Sequence, residues 1–220
     1  MAYYRRRYRR RLRRNRRYRR MFKRRMYKYS RSGQKVQLFT RWMKLNPITG
    51  TTGTTETSFG QSFKLNQLPN WTEFQNLYDE YKIKAVKFTL IPASNVTLYS
   101  SAFPAITDQT LQSNKYFTCF DYNDVTTISA DAIRQYATCK MTTGTRLHKR
   151  FIYPRVTTAV AEGSGAYGTA TSMRQPWINM ASNDTQFFGI KGCITHPTLP
   201  QNIQFCEVEC KFYMMFRNPK

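Results

Sequence analysis

The sequence predicts an all-β fold, an eight-stranded antiparallel jelly roll, that follows a disordered arginine-rich arm at the N-terminus. Eight short segments between residues 35 and 216 carry strand signals, and proline, glycine and asparagine separate several of them. Only one segment shows convincing helical spacing. The composition changes near residue 31, where the arginine-rich stretch ends. We therefore divide the chain into an arm, residues 1–31, and a jelly-roll domain, residues 32–220.

The first three predicted strands lie in the N-terminal half of the domain. Their bounds are Lys35–Leu45, Ser58–Leu68 and Lys82–Ile91. Val36, Leu38 and Trp42 share one face of the first strand. We expect Pro47 to end the first strand and Pro69 to end the second, because proline cannot donate a hydrogen bond to a sheet.

A short helix is predicted from Trp71 to Tyr81, directly before the third strand. Asn70 or Thr72 can cap its N-terminus, and apolar residues recur at helical spacing. These residues are Trp71, Phe74, Leu77 (or Tyr78) and Tyr81. A single helical turn is predicted over residues 129–135.

Five further strands complete the predicted set. Their bounds are Lys115–Asp121, Tyr136–Thr142, Thr145–Tyr153, Gln186–Thr195 and Ile203–Phe216. The last strand is the clearest, because apolar side chains alternate along it with Glu207, Glu209 and Lys211. The apolar positions are Cys206, Val208, Cys210, Phe212, Met214 and Phe216.

Three polar stretches are predicted as loops, at residues 49–58, 93–114 and 155–185. The last two are long for a compact domain. Loops of that length imply either a functional surface or an error in the predicted strands.

The arm holds 17 of the 36 basic residues of the chain and none of the 12 acidic ones. Such a segment has little apolar surface to bury and its charges repel, so it cannot fold alone and needs a polyanion. We predict that it binds nucleic acid and also serves as a nuclear localisation signal. The predicted nucleic-acid-binding residues are Arg5, Arg6, Arg7, Tyr8, Arg9, Arg10, Arg11, Arg13, Arg14, Arg16, Arg17, Tyr18, Arg19, Arg20, Lys23, Arg24, Arg25, Lys28 and Arg31.

Aromatic residues interrupt the basic run and favour single-stranded nucleic acid as the ligand. They are Tyr3, Tyr4, Tyr8, Tyr18, Phe22, Tyr27 and Tyr29. An aromatic ring can stack on an unpaired base, which contributes about 1–3 kcal/mol per base with little sequence preference. The planar arginine fork suits phosphate, because it binds two oxygens at once.

The sequence offers no recognisable catalytic, metal or cofactor site. His148 and His196 have no Cys or His neighbour at the spacing of a zinc site. Asp121 and Asp124 could bind a cation weakly, but a turn with ordinary surface carboxylates is the better interpretation. The five cysteines lack motif spacing, and we expect buried free thiols. We therefore expect no cofactor and no enzymatic activity.

Stable membrane insertion is not expected, because no apolar run approaches the ~18 residues that span a bilayer. The N-terminus also lacks the apolar segment of a signal peptide, so we expect synthesis in the cytosol without secretion.

The layout and three local stretches resemble the capsid proteins of circoviruses and cycloviruses, with a length nearer the cycloviruses. Residues 70–74 (NWTEF) and 78–84 (YDEYKIK) resemble the helix of that family that leads into a strand. Residues 88–92 (FTLIP) resemble the end of that strand. The resemblance covers the whole chain, from the basic arm through the eight strands.

The resemblance implies a capsid-type jelly roll of which 60 copies form a T=1 icosahedral shell around circular single-stranded DNA. It also implies that the arm points inward or is exposed transiently to host nuclear import receptors. The long loops would form the outer surface and the subunit contacts. Attachment to host cells, often through sulfated glycans, would fall to the outer face. The virion and the host nucleus are the implied locations.

Other interpretations of the residues remain open. A cellular nucleic-acid-binding protein would share the basic arm, but it would more often carry charge on its domain and have short loops. The capsid protein of an RNA virus or satellite virus would share the jelly roll. An enzyme acting on nucleic acid would need a cluster of carboxylates or histidines that the sequence does not offer.

Overall fold

Two antiparallel sheets pack face to face in the computed structural model, which describes residues 36–93, 114–162, 165–172, 174–198 and 202–220. The strands are β1 (Gln37–Gly50), β2 (Glu56–Phe63), β3 (Tyr78–Pro92), β4 (Lys115–Cys119), β5 (Lys140–Thr143), β6 (His148–Ile152), β7 (Thr157–Glu162), β8 (Gly165–Thr171), β9 (Ile178–Asn179), β10 (Phe187–Thr195) and β11 (Ile203–Pro219). The helices are α1 (Trp71–Leu77) and α2 (Ala130–Arg134), and single 3-10 turns span Leu65–Gln67 and Met180–Ser182.

The first sheet has the strand order β1-β11-β3-β6, and β9 adds to β3. The second sheet has the order β2-β10-β4-β5, and β7 and β8 form a separate hairpin. Consecutive strands therefore alternate between the sheets at several points, and the last strand lies beside the first. This is the arrangement of a jelly roll, as the sequence predicts.

Strand β1 forms the edge of the first sheet. Its 14 residues pair with β11 at twelve positions, from Gln37 opposite Phe216 to Gly50 opposite Ile203. The register shifts between Leu45 and Ile48. This irregularity accommodates Pro47, which therefore does not end the strand as we expected.

Aromatic side chains fill much of the space between the sheets. Phe63 of β2 meets Phe212 of β11 at 5.8 Å between ring centroids, edge to face. Phe74 of α1 stacks on Phe216 of β11 at 4.7 Å, so the helix covers one end of the first sheet. Burial of each such ring contributes roughly 1.5–3 kcal/mol. The predicted apolar face of the last strand is confirmed, because all six of its residues are buried.

All eight predicted strands are present, but several boundaries differ. The helix ends at Leu77 and not at Tyr81, because Tyr78 adopts extended backbone angles and β3 begins there. Residues 78–81 are drawn into the sheet by pairing with the end of β11. The predicted fifth strand begins at Lys140 and not at Tyr136, because the residues directly after α2 are not yet part of a strand.

The stretch 155–185 was expected to be a loop without strands, and this prediction is wrong. It contains the β7–β8 hairpin, the short strand β9 and a 3-10 turn. Pairing between β7 and β8 is local and depends on backbone hydrogen bonds, so small residues such as Gly, Ala and Thr form it without apolar alternation. Of the predicted loop 93–114, only the two end residues are described.

Candidate nucleic-acid interface

The predicted nucleic-acid-binding residues, from Arg5 to Arg31, all lie outside the described residues. The first described residue is Val36, and β1 begins at Gln37 on the edge of the first sheet. The charged arm is therefore attached to the sheet formed by β1, β11, β3 and β6.

The outward face of that sheet carries aromatic and basic side chains together. A row of paired positions crosses four strands, from Trp42 through Lys211 and Lys87 to Phe151. Paired residues of neighbouring strands point to the same side of a sheet. We call this surface the Trp42 face. It comprises Leu38, Thr40, Trp42, Lys44, Lys87, Lys149, Phe151, Tyr153, Glu207, Glu209, Lys211 and Tyr213.

The first predicted strand thus has its apolar residues on both sides. Leu38 and Trp42 share one face as predicted, but that face is the exposed one. Phe39, Met43 and Leu45 pack against the core instead. An edge strand covered on one side only can place large side chains on the other, and periodicity alone does not show which side is buried.

Two lysines lie next to the indole of Trp42. The Nζ of Lys211 is 4.9 Å from the ring centroid and the Nζ of Lys87 is 5.9 Å from it. Lysine at this distance from an aromatic ring gains a cation–π interaction of about 0.5–1 kcal/mol at an exposed site. Within the described residues, neither ammonium group has a carboxylate within salt-bridge distance.

The acidic residues of the Trp42 face lie toward one end. Lys44 binds Glu207 at 2.7 Å, and Glu209 is opposite Lys44 in the ladder. Trp42, Met43, Lys44 and Glu209 line a shallow groove of about 380 Å³. Phe151 lies at the far end of the row that begins at Trp42, and its ring contacts the rings of Tyr153 and Tyr213.

A buried ion cluster lies in the second sheet. The Nζ of Lys191 on β10 is 2.9 Å from the carboxylate of Asp121 and 2.6 Å from that of Asp124. Burial alone would lower the pKa of Lys191, but the hydrogen bonds to Asp124 and Asp121 outweigh it and raise that pKa. The hydrogen bond from Lys191 also lowers the pKa of Asp124. Asp121 is thus not the ordinary surface carboxylate that we expected, and its cation is a lysine of the same chain.

The cysteines of the domain are free thiols. Four of the five cysteines are buried free thiols as predicted, and Cys139 is half-buried. Burial raises the pKa of Cys206 and of Cys210 to about 12. Within the described part of the chain, no three or more residues of metal-ligating type form a group. None of the described helices has the length and apolar character needed to cross a bilayer.

Trp42, Lys87 and Lys211 are not among the nucleic-acid-binding residues that the sequence predicts. A signal was present, because the polar side of the third strand contains Lys87 and the polar side of the last contains Lys211. The sequence does not show the order of the strands in the sheet. Only the pairing of β11 between β1 and β3 brings these residues into one row.

Three solved capsid structures are similar to this chain. The 60-mer of the BFDV capsid protein has 17% sequence identity and a TM-score of 0.59, over 84% of this chain and 94% of that chain. The decameric BFDV capsid protein has 17% identity and a TM-score of 0.51, over 84% and 99%. The Cucumber Necrosis Virus structure has 15% identity and a TM-score of 0.50, over 84% and 57%. At these identities the likeness establishes the fold.

Comparison at the level of sequence identifies the family as well as the fold. A search among curated protein sequences finds no match. The sequence profile described as Circovirus capsid protein, in contrast, matches residues 4–220, which include both the basic arm and the two-sheet domain. The chain therefore belongs to the circovirus capsid protein family.

Proposed function

We propose that this capsid protein assembles, as 60 copies, into a T=1 icosahedral shell that encloses circular single-stranded DNA. The arm binds the genome, and the two-sheet domain forms the wall. The family match and the similarity to a capsid protein that forms a 60-mer support the assembly. The copy number, the genome and the role of the arm are our proposal.

The observation that carries the proposal is the segregation of charge along the chain. Seventeen basic residues and no acidic ones precede residue 32, whereas the rest of the chain carries 19 basic and 12 acidic residues. A nucleic-acid-binding protein whose basic residues lie on its folded domain would not need this separation. A protein that forms a capsid wall needs it, because its domain must pack against other copies while its arm neutralises phosphate.

The amount of charge is consistent with a small genome. Sixty arms would bring about 1,000 positive charges into one closed volume, enough to balance on the order of a thousand phosphates. Counterion release on binding would favour packaging at physiological salt. The arginine forks and the interleaved tyrosines suit an unpaired strand, whose phosphates and base faces are both accessible.

Two further roles are part of the proposal. The arginine-rich arm binds host nuclear import receptors before assembly, so the protein acts in the host nucleus as well as in the virion. The outer loops attach the shell to host cells, and a sulfated glycan is the class of receptor proposed for them. Stable membrane insertion is not part of this function.

Electron microscopy of the purified full-length protein tests the shell directly. The expected result is closed particles of one size, with a mass in the megadalton range by size-exclusion chromatography. DNA extracted from them should be degraded by DNase and by a nuclease specific for single strands, but not by RNase. Small oligomers would favour a cellular nucleic-acid-binding protein. RNase-sensitive contents would favour an RNA-virus capsid.

A further inference from the structure

We propose that the Trp42 face is a second binding surface for single-stranded DNA, on which a base stacks against Trp42 while Lys87 and Lys211 bind the flanking phosphates. This inference rests on the proposed packaging of single-stranded DNA. It extends the DNA-binding residues from the arm to the domain.

The exposure of Trp42 is the first observation. The side chain is 52% exposed in the part of β1, Gln37 to Leu45, that pairs without interruption with β11. Three more large side chains of the same face, Leu38, Phe151 and Tyr153, are 42–51% exposed. A monomeric soluble protein rarely leaves so many large apolar groups on one surface unless the surface binds something.

The second observation is the chemistry between these rings. Lysines occupy the paired positions between Trp42 and Phe151, so two cationic groups lie between two aromatic groups across the sheet. The core of a protein–protein interface is typically depleted of lysine. A single strand of nucleic acid needs both groups, because its phosphates are anionic and its unpaired bases present flat faces for stacking.

The positions of the lysines relative to Trp42 fit such a strand. Both ammonium groups are held within 6 Å of the indole centroid by cation–π contacts. A base that stacks on the ring would replace these contacts and leave both ammonium groups close to its flanking phosphates.

The third observation is the attachment of the arm to this sheet. The arm precedes β1, which begins at Gln37, and Trp42 is five positions further along this extended strand. At ~3.3 Å per residue this is roughly 17 Å. Trp42 therefore lies close to the end of β1 that leads to the arm.

Binding of a fluorescent 20-nucleotide oligothymidine to the full-length protein, followed by anisotropy, tests the stacking contact. Trp42→Ala should weaken binding roughly 5- to 100-fold, because one base no longer stacks on the domain. Trp42→Phe should restore most of the affinity. Met141→Ala is the matched control, because Met141 is 59% exposed on the opposite sheet. A duplex of the same length, which offers no base faces, should bind the wild type and Trp42→Ala equally.

Substitution of Lys87 and Lys211 should change the salt dependence of DNA binding. The double variant Lys87→Gln, Lys211→Gln should make the log–log salt dependence of binding shallower by about 0.7 for each phosphate that the protein no longer binds. Trp42→Ala should leave that slope unchanged. An abasic oligonucleotide keeps the phosphates and removes the bases, so Trp42→Ala should not weaken its binding further.

The outcomes separate this inference from the proposed function. If the wild type binds the oligonucleotide and Trp42→Ala binds it equally well, the Trp42 face is excluded while the arm remains. If the wild type does not bind at all, both proposals are wrong. If Trp42→Ala changes particle assembly and leaves DNA affinity unchanged, the face is a contact between subunits and this inference is overturned.

Discussion

The imidazole of His148 and the hydroxyl of Thr118 form a buried hydrogen bond of 2.7 Å that joins the two sheets. His148 lies on β6 of the first sheet and Thr118 on β4 of the second. The other ring nitrogen of His148 lies 2.8 Å from the hydroxyl of Thr142 on β5. Both nitrogens are therefore satisfied by uncharged partners, and the ring is fully buried between the sheets.

This pair makes the stability of the domain sensitive to acid. Burial, and then the charges of Lys140 and Arg150, lower the pKa of His148 to about 4 from its usual value of 6.5. Below pH 6.5 the unfolded chain takes up a proton that the folded chain does not, so the free energy of unfolding should fall until the pH reaches about 4. The loss should approach about 3 kcal/mol.

Thermal unfolding at several pH values between 7 and 4 measures this effect. His148→Gln removes the titrating group, so its unfolding temperature should depend less on pH over this interval than that of the wild type. An equal pH dependence in both proteins would show that other groups cause the acid sensitivity.

Removal of the ammonium group of Lys191 should destabilise the domain strongly. Lys191→Met leaves the buried carboxylate of Asp121 without its cation, and breaking such a buried pair costs about 3–5 kcal/mol. Asp121→Asn in the same chain should recover part of the loss. Chemical denaturation of the three proteins measures both effects.

A surface pair provides the matched control for Lys191. Arg134 and Asp131 form an ion pair on α2, where both side chains are more than half exposed. Because water screens such a pair, Arg134→Ala should change the free energy of unfolding by less than about 1 kcal/mol. A similar effect of the two substitutions would mean that the Lys191 cluster is not isolated from solvent.

Deletion of residues 1–31 should abolish DNA packaging and leave the two-sheet domain folded. Because 17 basic residues are removed, the phosphates lose most of their protein counterions. Nuclease-protected DNA per particle measures packaging, and far-ultraviolet circular dichroism checks the fold. Normal packaging by the truncated protein would contradict the role of the arm.

Charge substitutions refine the same prediction. Replacing Arg5, Arg6, Arg7, Arg9, Arg10 and Arg11 with glutamine should make the salt dependence of binding shallower by about 0.7 for each phosphate that is no longer neutralised. Replacing the same six residues with lysine keeps the charge, so the slope should stay close to that of the wild type. Any decrease of affinity in the lysine variant then reports the absence of bidentate arginine binding.

The native thiols should react slowly with a water-soluble disulfide reagent, with Cys139 as the exception. Cys119, Cys193, Cys206 and Cys210 are buried, and burial raises the pKa of each to about 11 or 12. Few of these groups are thiolates at pH 8, and the thiolate is the reactive form. One fast thiol in the native protein and five in denaturant is the expected result. Several fast thiols in the native protein would contradict this burial.

The sequence predicted those features that depend on a repeating apolar pattern. β11 is the clearest case, because its alternation continues across a bulge without losing the core face. The β7–β8 hairpin could not be predicted in this way, because its strands lack an apolar face in the sequence. Lys191 also gave no signal, because its partners Asp121 and Asp124 precede it by about 70 residues and only the packing of their loop against β10 unites them.

The joint between the arm and the wall has a mechanical consequence. If the genome pulls on the arm along the direction of β1, the load enters at Gln37 and is shared by the twelve paired positions between β1 and β11. Rupture in this shear geometry requires many hydrogen bonds to break together. Strand β1 would then resist tension during packaging. The domain would stay folded while the DNA that is bound to the arm moves inward.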